Sequence, residues 1–383
     1  MLLCLAMGDL QGLVLSRYKH YIISKQYKGS LRKVIEGLPP TRVDQAVRAY
    51  APLPAELQEI IIQFLAKWFE GVKIQDRGSW LVNEIFPCIT FSEENNIVSG
   101  CSDGFVKAYD ICSGICTATI AAHRDSGRSY GVRTLLYDPE AKKIISGGDD
   151  DYIKIWDNGR FIKRFERSRT ESHLDSVSCL ALLGNNVFIS GSTLINNLYL
   201  WDCEAGKIGT MFSGVYRDFG AGGTASVAVL NEDRCVSTLK SSYIILWDAA
   251  RHVRTSKNKI HGNNLFAASY AHDTYALAHD KDIQLCDIRC PNNPSFLGDH
   301  AAVIQKVVRI SSDLLSASPD GIAKLWDPRM PTKCKETIPV GCNGDDILAL
   351  ASSPKGDHFA VSFGNSKQVK LFSLARSTDG VTL

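Results

Sequence analysis

Two stretches of this 383-residue chain carry side chains that could do acid–base chemistry. His123, Ser146 and Asp150 are followed by Trp156, and His300 and Asp320 are followed by Trp326. An imidazole between a carboxylate and a hydroxyl can activate a nucleophile. It can equally be a structural clamp, a buried network whose members satisfy one another. The setting favours the clamp. Asp103, Asp150, Asp280 and Asp320 each stand six residues before Tyr109, Trp156, Cys286 or Trp326, at the tip of a turn where a carboxylate accepts backbone N–H groups. No phosphate-binding, zinc-hydrolase or nucleophile-elbow motif accompanies them. The Gly-rich stretch Phe219–Thr224 lacks a following helical pattern, so it does not read as a phosphate cradle. Cys112/Cys116 and Cys286/Cys290 are spaced C-x3-C without a second ligand pair. The twelve cysteines therefore read as small buried hydrophobes in a reducing compartment. No catalytic residue, cofactor or metal is expected.

The elements that would position these groups recur along the chain. Leu314–Arg329 reads as an apolar strand, a Pro-Asp-Gly turn and a second apolar strand closing on Trp326-Asp327. Endings of the same kind occur at Tyr109, Trp156, Trp201, Trp247, Cys286, Trp326 and Phe372, a period of about 40–45 residues. Over roughly residues 75–373 the chain resembles the WD-repeat β-propeller family, with seven units. The resemblance implies an all-β, seven-bladed WD-repeat β-propeller with an N-terminal α-helical extension. It implies that His123, Ser146, Asp150 and Trp156 form a structural network, as do His300, Asp320 and Trp326. His173, Ser190 and Trp201 belong to the third unit, where Ile195 replaces the turn Asp; His261 belongs to the fifth. In that family the chain start supplies the last blade's outermost strand. The expected division is thus 1–71, helical, and 72–383, a propeller closed by a strand at 72–82.

Within the extension, residues from Asp9 to about Lys28 have helical spacing, and Leu10–Ile35 carries six cations and no carboxylate. The segment 53–69 resembles the first helix of an F-box, with Leu57, Ile61, Phe64 and Trp68 on one face. A helical cap on the propeller and another partner-docking helix are the alternatives. Two further features suit protein docking. The long connections into blades two to four carry Arg124, Arg128, Tyr130, Arg167, Arg169, Tyr216, Arg217 and Phe219. Arg and Tyr are enriched in binding hot spots, so this rim suits an acidic or phosphorylated peptide if it is more than solvated loop. Asp287-x-Arg289 and Asp327-x-Arg329 resemble the D-x-R box of cullin-RING ligase substrate receptors, which dock on a propeller adaptor. Alternatively each Arg pairs with its neighbouring Asp.

A net charge of +2 offers no strong field for nucleic acid, and no 18-residue apolar run offers a membrane span. Met1–Met7 is too short for a signal peptide. A cytoplasmic or nuclear, non-catalytic interaction protein is expected. A cullin-RING substrate receptor is the first reading, and a scaffold for RNA processing or trafficking is the second.

Overall fold

The computed structural model describes residues 73–375 apart from 82–84, 94–95, 126, 158, 166–174, 185, 195–197, 204–207, 213–222, 261–264, 291–292, 330–333 and 342–343. Seven four-stranded antiparallel sheets make up the fold, together with one two-stranded ribbon. Six sheets are meanders of consecutive strands, at residues 88–121, 132–165, 177–212, 224–259, 266–299 and 306–339, here blades 1 to 6. Blade 7 joins the strands of 347–375 to Lys73–Leu81, which pairs antiparallel with Gln368–Ala375. The first strand of each blade contacts the first strand of the next, and blade 7 returns to blade 1, so the ring closes. The architecture is all-β: a seven-bladed propeller. Among the described residues there is no helix, and the helical extension with Leu57, Ile61, Phe64 and Trp68 lies outside them.

Burial is greatest in the second strand of each blade, and the first strands, such as Val177–Gly184, are partly buried. Second strands such as Val187–Ser192 and Asp313–Ser318 are almost wholly buried, whereas fourth strands such as Cys116–Ala121 are largely exposed. Small residues recur on the second strands because the neighbouring blade lies close. A Cβ on Gly147 would sit 2.7 Å from Val177 of blade 3. The meander gives each blade two ends. One face carries the turns between second and third strands and the connections between blades. The other carries the first turn and the third of each blade.

Candidate functional site

In blade 2 the polar residues form one chain of hydrogen bonds. Trp156 Nε1–H donates to Ser146 Oγ at 2.9 Å, and Ser146 Oγ lies 2.9 Å from His123 Nε2. His123 Nδ1 lies 2.6 Å from Asp150 Oδ1, while Lys154 Nζ donates to Asp150 Oδ2 at 2.8 Å and to the Ala122 carbonyl at 2.7 Å. Burial pushes the His123 imidazole below its ordinary value and outweighs the pull of Asp150. Burial alone would raise the Asp150 carboxyl, yet the bonds from His123 and Lys154 together hold it below its ordinary range. A neutral imidazole fixes the directions: Nδ1–H donates to Asp150, and Nε2 accepts the serine proton. Blade 6 repeats the set with Trp326 Nε1–H on Ser316 at 2.8 Å and His300 Nε2 2.7 Å from Ser316. Its His300–Asp320 contact is longer, at 3.4 Å.

The order Asp–His–Ser is that of a hydrolytic triad, and the surroundings distinguish the two. Ser146 and Ser316 are each 0% exposed, and an indole N–H already occupies each serine oxygen. A substrate carbonyl has no path to either hydroxyl. The Ser–Trp bond also survives where the histidine set is incomplete. It joins Ser190 to Trp201 at 2.6 Å in blade 3 and Ser237 to Trp247 at 2.8 Å in blade 4. Ser237, Ser316 and Lys154 escaped the sequence reading. The signal for the two serines was a separation of ten residues from the tryptophan.

The two faces carry different chemistry. On the connection face, residues 122–131 form the two-stranded ribbon of Arg124–Asp125 with Arg128–Ser129. The Arg124 guanidinium lies 4.5 Å over the Phe105 ring, Arg128 is exposed and Tyr130 is half-buried. Tyr130 N–H donates to the His123 carbonyl at 2.9 Å, which ties the ribbon to the blade 2 network. Arg167, Arg169, His173, Ile195, Tyr216, Arg217, Phe219 and His261 lie outside the described residues.

On the opposite face each Asp-x-Arg closes on itself. Arg289 donates to Asp287 from its backbone N–H at 2.8 Å and from Nε and Nη2 at 2.9 and 2.6 Å. These hydrogen bonds hold the Asp287 carboxyl below its ordinary range. Arg329 repeats the fork on Asp327 at 2.9 and 3.0 Å. The two differ in depth: the Arg289 side chain is 65% exposed, whereas Arg329 is 38% exposed over an Asp327 that is 7% exposed. Arg289 also reaches Asp273 at 3.9 Å, beside Arg234 of blade 4.

A family profile described as WD domain, G-beta repeat, matches residues 114–157. That window contains His123, Ser146, Asp150 and Trp156, the full set whose bonds the structure shows. The chain carries a WD40 repeat within a seven-bladed β-propeller. Its fold matches the crystal structure of the WD40 beta propeller domain of Doa1 with a TM-score of 0.66, at 16% identity, over 80% of this chain and 98% of that one. Among curated proteins, it is 24% identical to Autophagy-related protein 16 of Arabidopsis thaliana over 56% of this chain and 42% of the relative. It is 22% identical to the Ribosome biogenesis protein WDR12 homolog of Ixodes scapularis over 78% and 66%, respectively. The chain thus spans less than half of the first of these relatives and about two thirds of the second.

The matched repeat is offset from its blade: 114–157 runs from the end of blade 1 through the third strand of blade 2. The cysteines divide more than the sequence suggested. Cys88, Cys101, Cys179, Cys203, Cys235 and Cys286 are buried, but Cys112 and Cys290 are exposed in turns that follow third strands, and Cys116 is exposed at the start of the fourth strand Cys116–Ala121. Among the described residues no three His, Cys, Asp or Glu side chains are grouped to hold a metal ion.

Proposed function

We propose that this propeller is a non-catalytic docking scaffold of an intracellular, multi-protein assembly. The observation carrying this reading is the sealing of both Asp–His–Ser sets beneath tryptophan, while Arg124 and Arg128 are exposed on the connection ribbon. Groups of triad composition hold blades together, and accessible polar chemistry lies on the faces. The relatives include an autophagy protein and a ribosome biogenesis protein, which suits a role in ordered assembly, including RNA-processing assemblies.

A cullin-RING substrate receptor is the second reading. It is favoured by the Asp-x-Arg fork repeated on adjacent blades of one face, with Arg289 exposed enough to exchange Asp287 for an adaptor carboxylate or carbonyl. Cross-linked affinity capture of the full chain, followed by mass spectrometry, separates the two. The scaffold reading expects a stoichiometric set of proteins that Arg124→Ala with Arg128→Ala depletes and Arg289→Ala leaves in place. Recovery of a ligase adaptor that disappears with Arg289→Ala would replace it with the receptor reading.

A further inference from the structure

A separate opening lies at the axis on the face of the Asp-x-Arg forks. It is a cavity of about 590 Å³ lined by the ends of the first strands of blades 1, 2, 6 and 7. Pockets of this size accept small molecules or individual side chains. Among the described residues no Asp or Glu lines it, whereas Arg309 of blade 6 and Lys355 of blade 7 do. Phe91 and Leu136 give it an apolar wall, and Thr90 and Ser312 add hydroxyls.

Arg309 is held for binding. Its Nε–H donates to the Ser311 carbonyl at 2.8 Å, and its guanidinium lies 5.9 Å from the centre of the Tyr270 ring. Its own carbonyl accepts the Ser352 hydroxyl of blade 7 at 2.8 Å. The exposed side chain is thus oriented through Nε, and its two Nη groups make no hydrogen bond among the described residues. A guanidinium oriented in this way, with its terminal donors open, matches two oxygens of a phosphate. The cavity is far larger than one phosphate, and its apolar wall can cover the carbon atoms that carry such a group.

We propose that this axial mouth binds a phosphorylated side chain of a partner peptide, with Arg309 as forked ligand and Lys355 as second charge. The proposal is independent of which proteins the connection face recruits. It is tested on the full chain with an oriented phosphoserine peptide library, its unphosphorylated counterpart and inorganic phosphate. Phosphopeptides should be retained at least tenfold over unmodified ones. Arg309→Met should lose that preference, and Arg309→Lys should not restore it, because an ammonium lacks the fork. Lys355→Met should weaken retention even if Arg309 variants fold poorly, while Arg251→Ala, an exposed side chain beside Asp248 of blade 4, should leave it unchanged. Equal retention of both libraries, or undiminished retention by folded Arg309→Met, overturns the proposal. Inorganic phosphate competing as well as the peptides would assign the cavity to the free ion and overturn it too.

Discussion

Asp150 and Asp320 occupy the same place in their blades and are bound unequally. Asp150 takes His123 at 2.6 Å, the Tyr152 N–H at 3.2 Å and the Lys154 ammonium at 2.8 Å. Asp320 takes the N–H groups of Ala301 at 3.2 Å and Ile322 at 3.0 Å, with His300 at 3.4 Å. The second strands account for the difference. A Cβ on Gly148 would lie 2.5 Å from His123 Nδ1, so glycine lets the imidazole close on Asp150, whereas blade 6 has Ser318 at that position. Asp150→Ala should therefore cost about 2–3 kcal/mol and Asp320→Ala about 1 kcal/mol. Urea denaturation of both variants checks the order; equal or reversed costs would remove this account of the blade 2 network. A pH dependence follows from the same groups. Burial, the leading cause for both His123 and His300, holds them below 6.5, so the unfolded chain binds more protons as pH falls through 6.5. Stability should decline over that interval, and again as pH falls below 3.8 and Asp150 protonates. His123→Gln should melt below wild type at pH 7.5 yet lose less on going to pH 5, which thermal denaturation at both values measures. The residue types of these networks stand in the sequence at a regular separation. Their depth does not, because Ser146 is sealed by the neighbouring indole and by strands remote in the chain.

At the level of the element, the period of strand endings made the seven-bladed fold legible. Strand, tight turn and strand are local events, and each unit repeats them. Ring closure is non-local. Lys73–Leu81 pairs with Gln368–Ala375 from Lys73↔Ala375 to Leu81↔Gln368, with a bulge between Asp76 and Gly78. Arg77 Nε–H adds a bond to Ser373 Oγ at 2.9 Å. Nothing in Lys73–Leu81 alone announces that pairing, and only the unit count leaves a strand wanting at blade 7. Deleting residues 1–81 would uncover the backbone edge of Gln368–Ala375, beside buried Val369, Leu371 and Phe372. An open apolar edge recruits other chains. That truncation should aggregate on size-exclusion chromatography, whereas a chain beginning at Lys73 should elute as a folded species with a cooperative urea transition. Equivalent behaviour of the two would show that Lys73–Leu81 is dispensable for closure.

For the whole molecule, the consequence is a rigid ring with two chemically distinct faces. The connection face presents Arg124 and Arg128 on a ribbon tied to the blade 2 network; the other presents two Asp-x-Arg forks and the axial mouth. The sequence pattern treats Arg289 and Arg329 as equivalents, and their surroundings make them different. Removing the exposed Arg289 leaves an Asp287 that solvent can reach, so Arg289→Ala should leave the melting curve unchanged. Removing Arg329 leaves Asp327, 7% exposed, and the nearby Asp313, whose carboxyl burial already raises. Arg329→Ala should cost about 1 kcal/mol, moderated by the solvent that reaches its guanidinium. Loss of a partner with Arg289→Ala would therefore report docking, while loss with Arg329→Ala alone would mix docking with stability. If the faces act independently, Arg289→Ala and the Arg124→Ala, Arg128→Ala pair should deplete different proteins in quantitative affinity capture. Depletion of one and the same set by both would mean that a single partner wraps the ring, and the two-faced scaffold would give way to that arrangement.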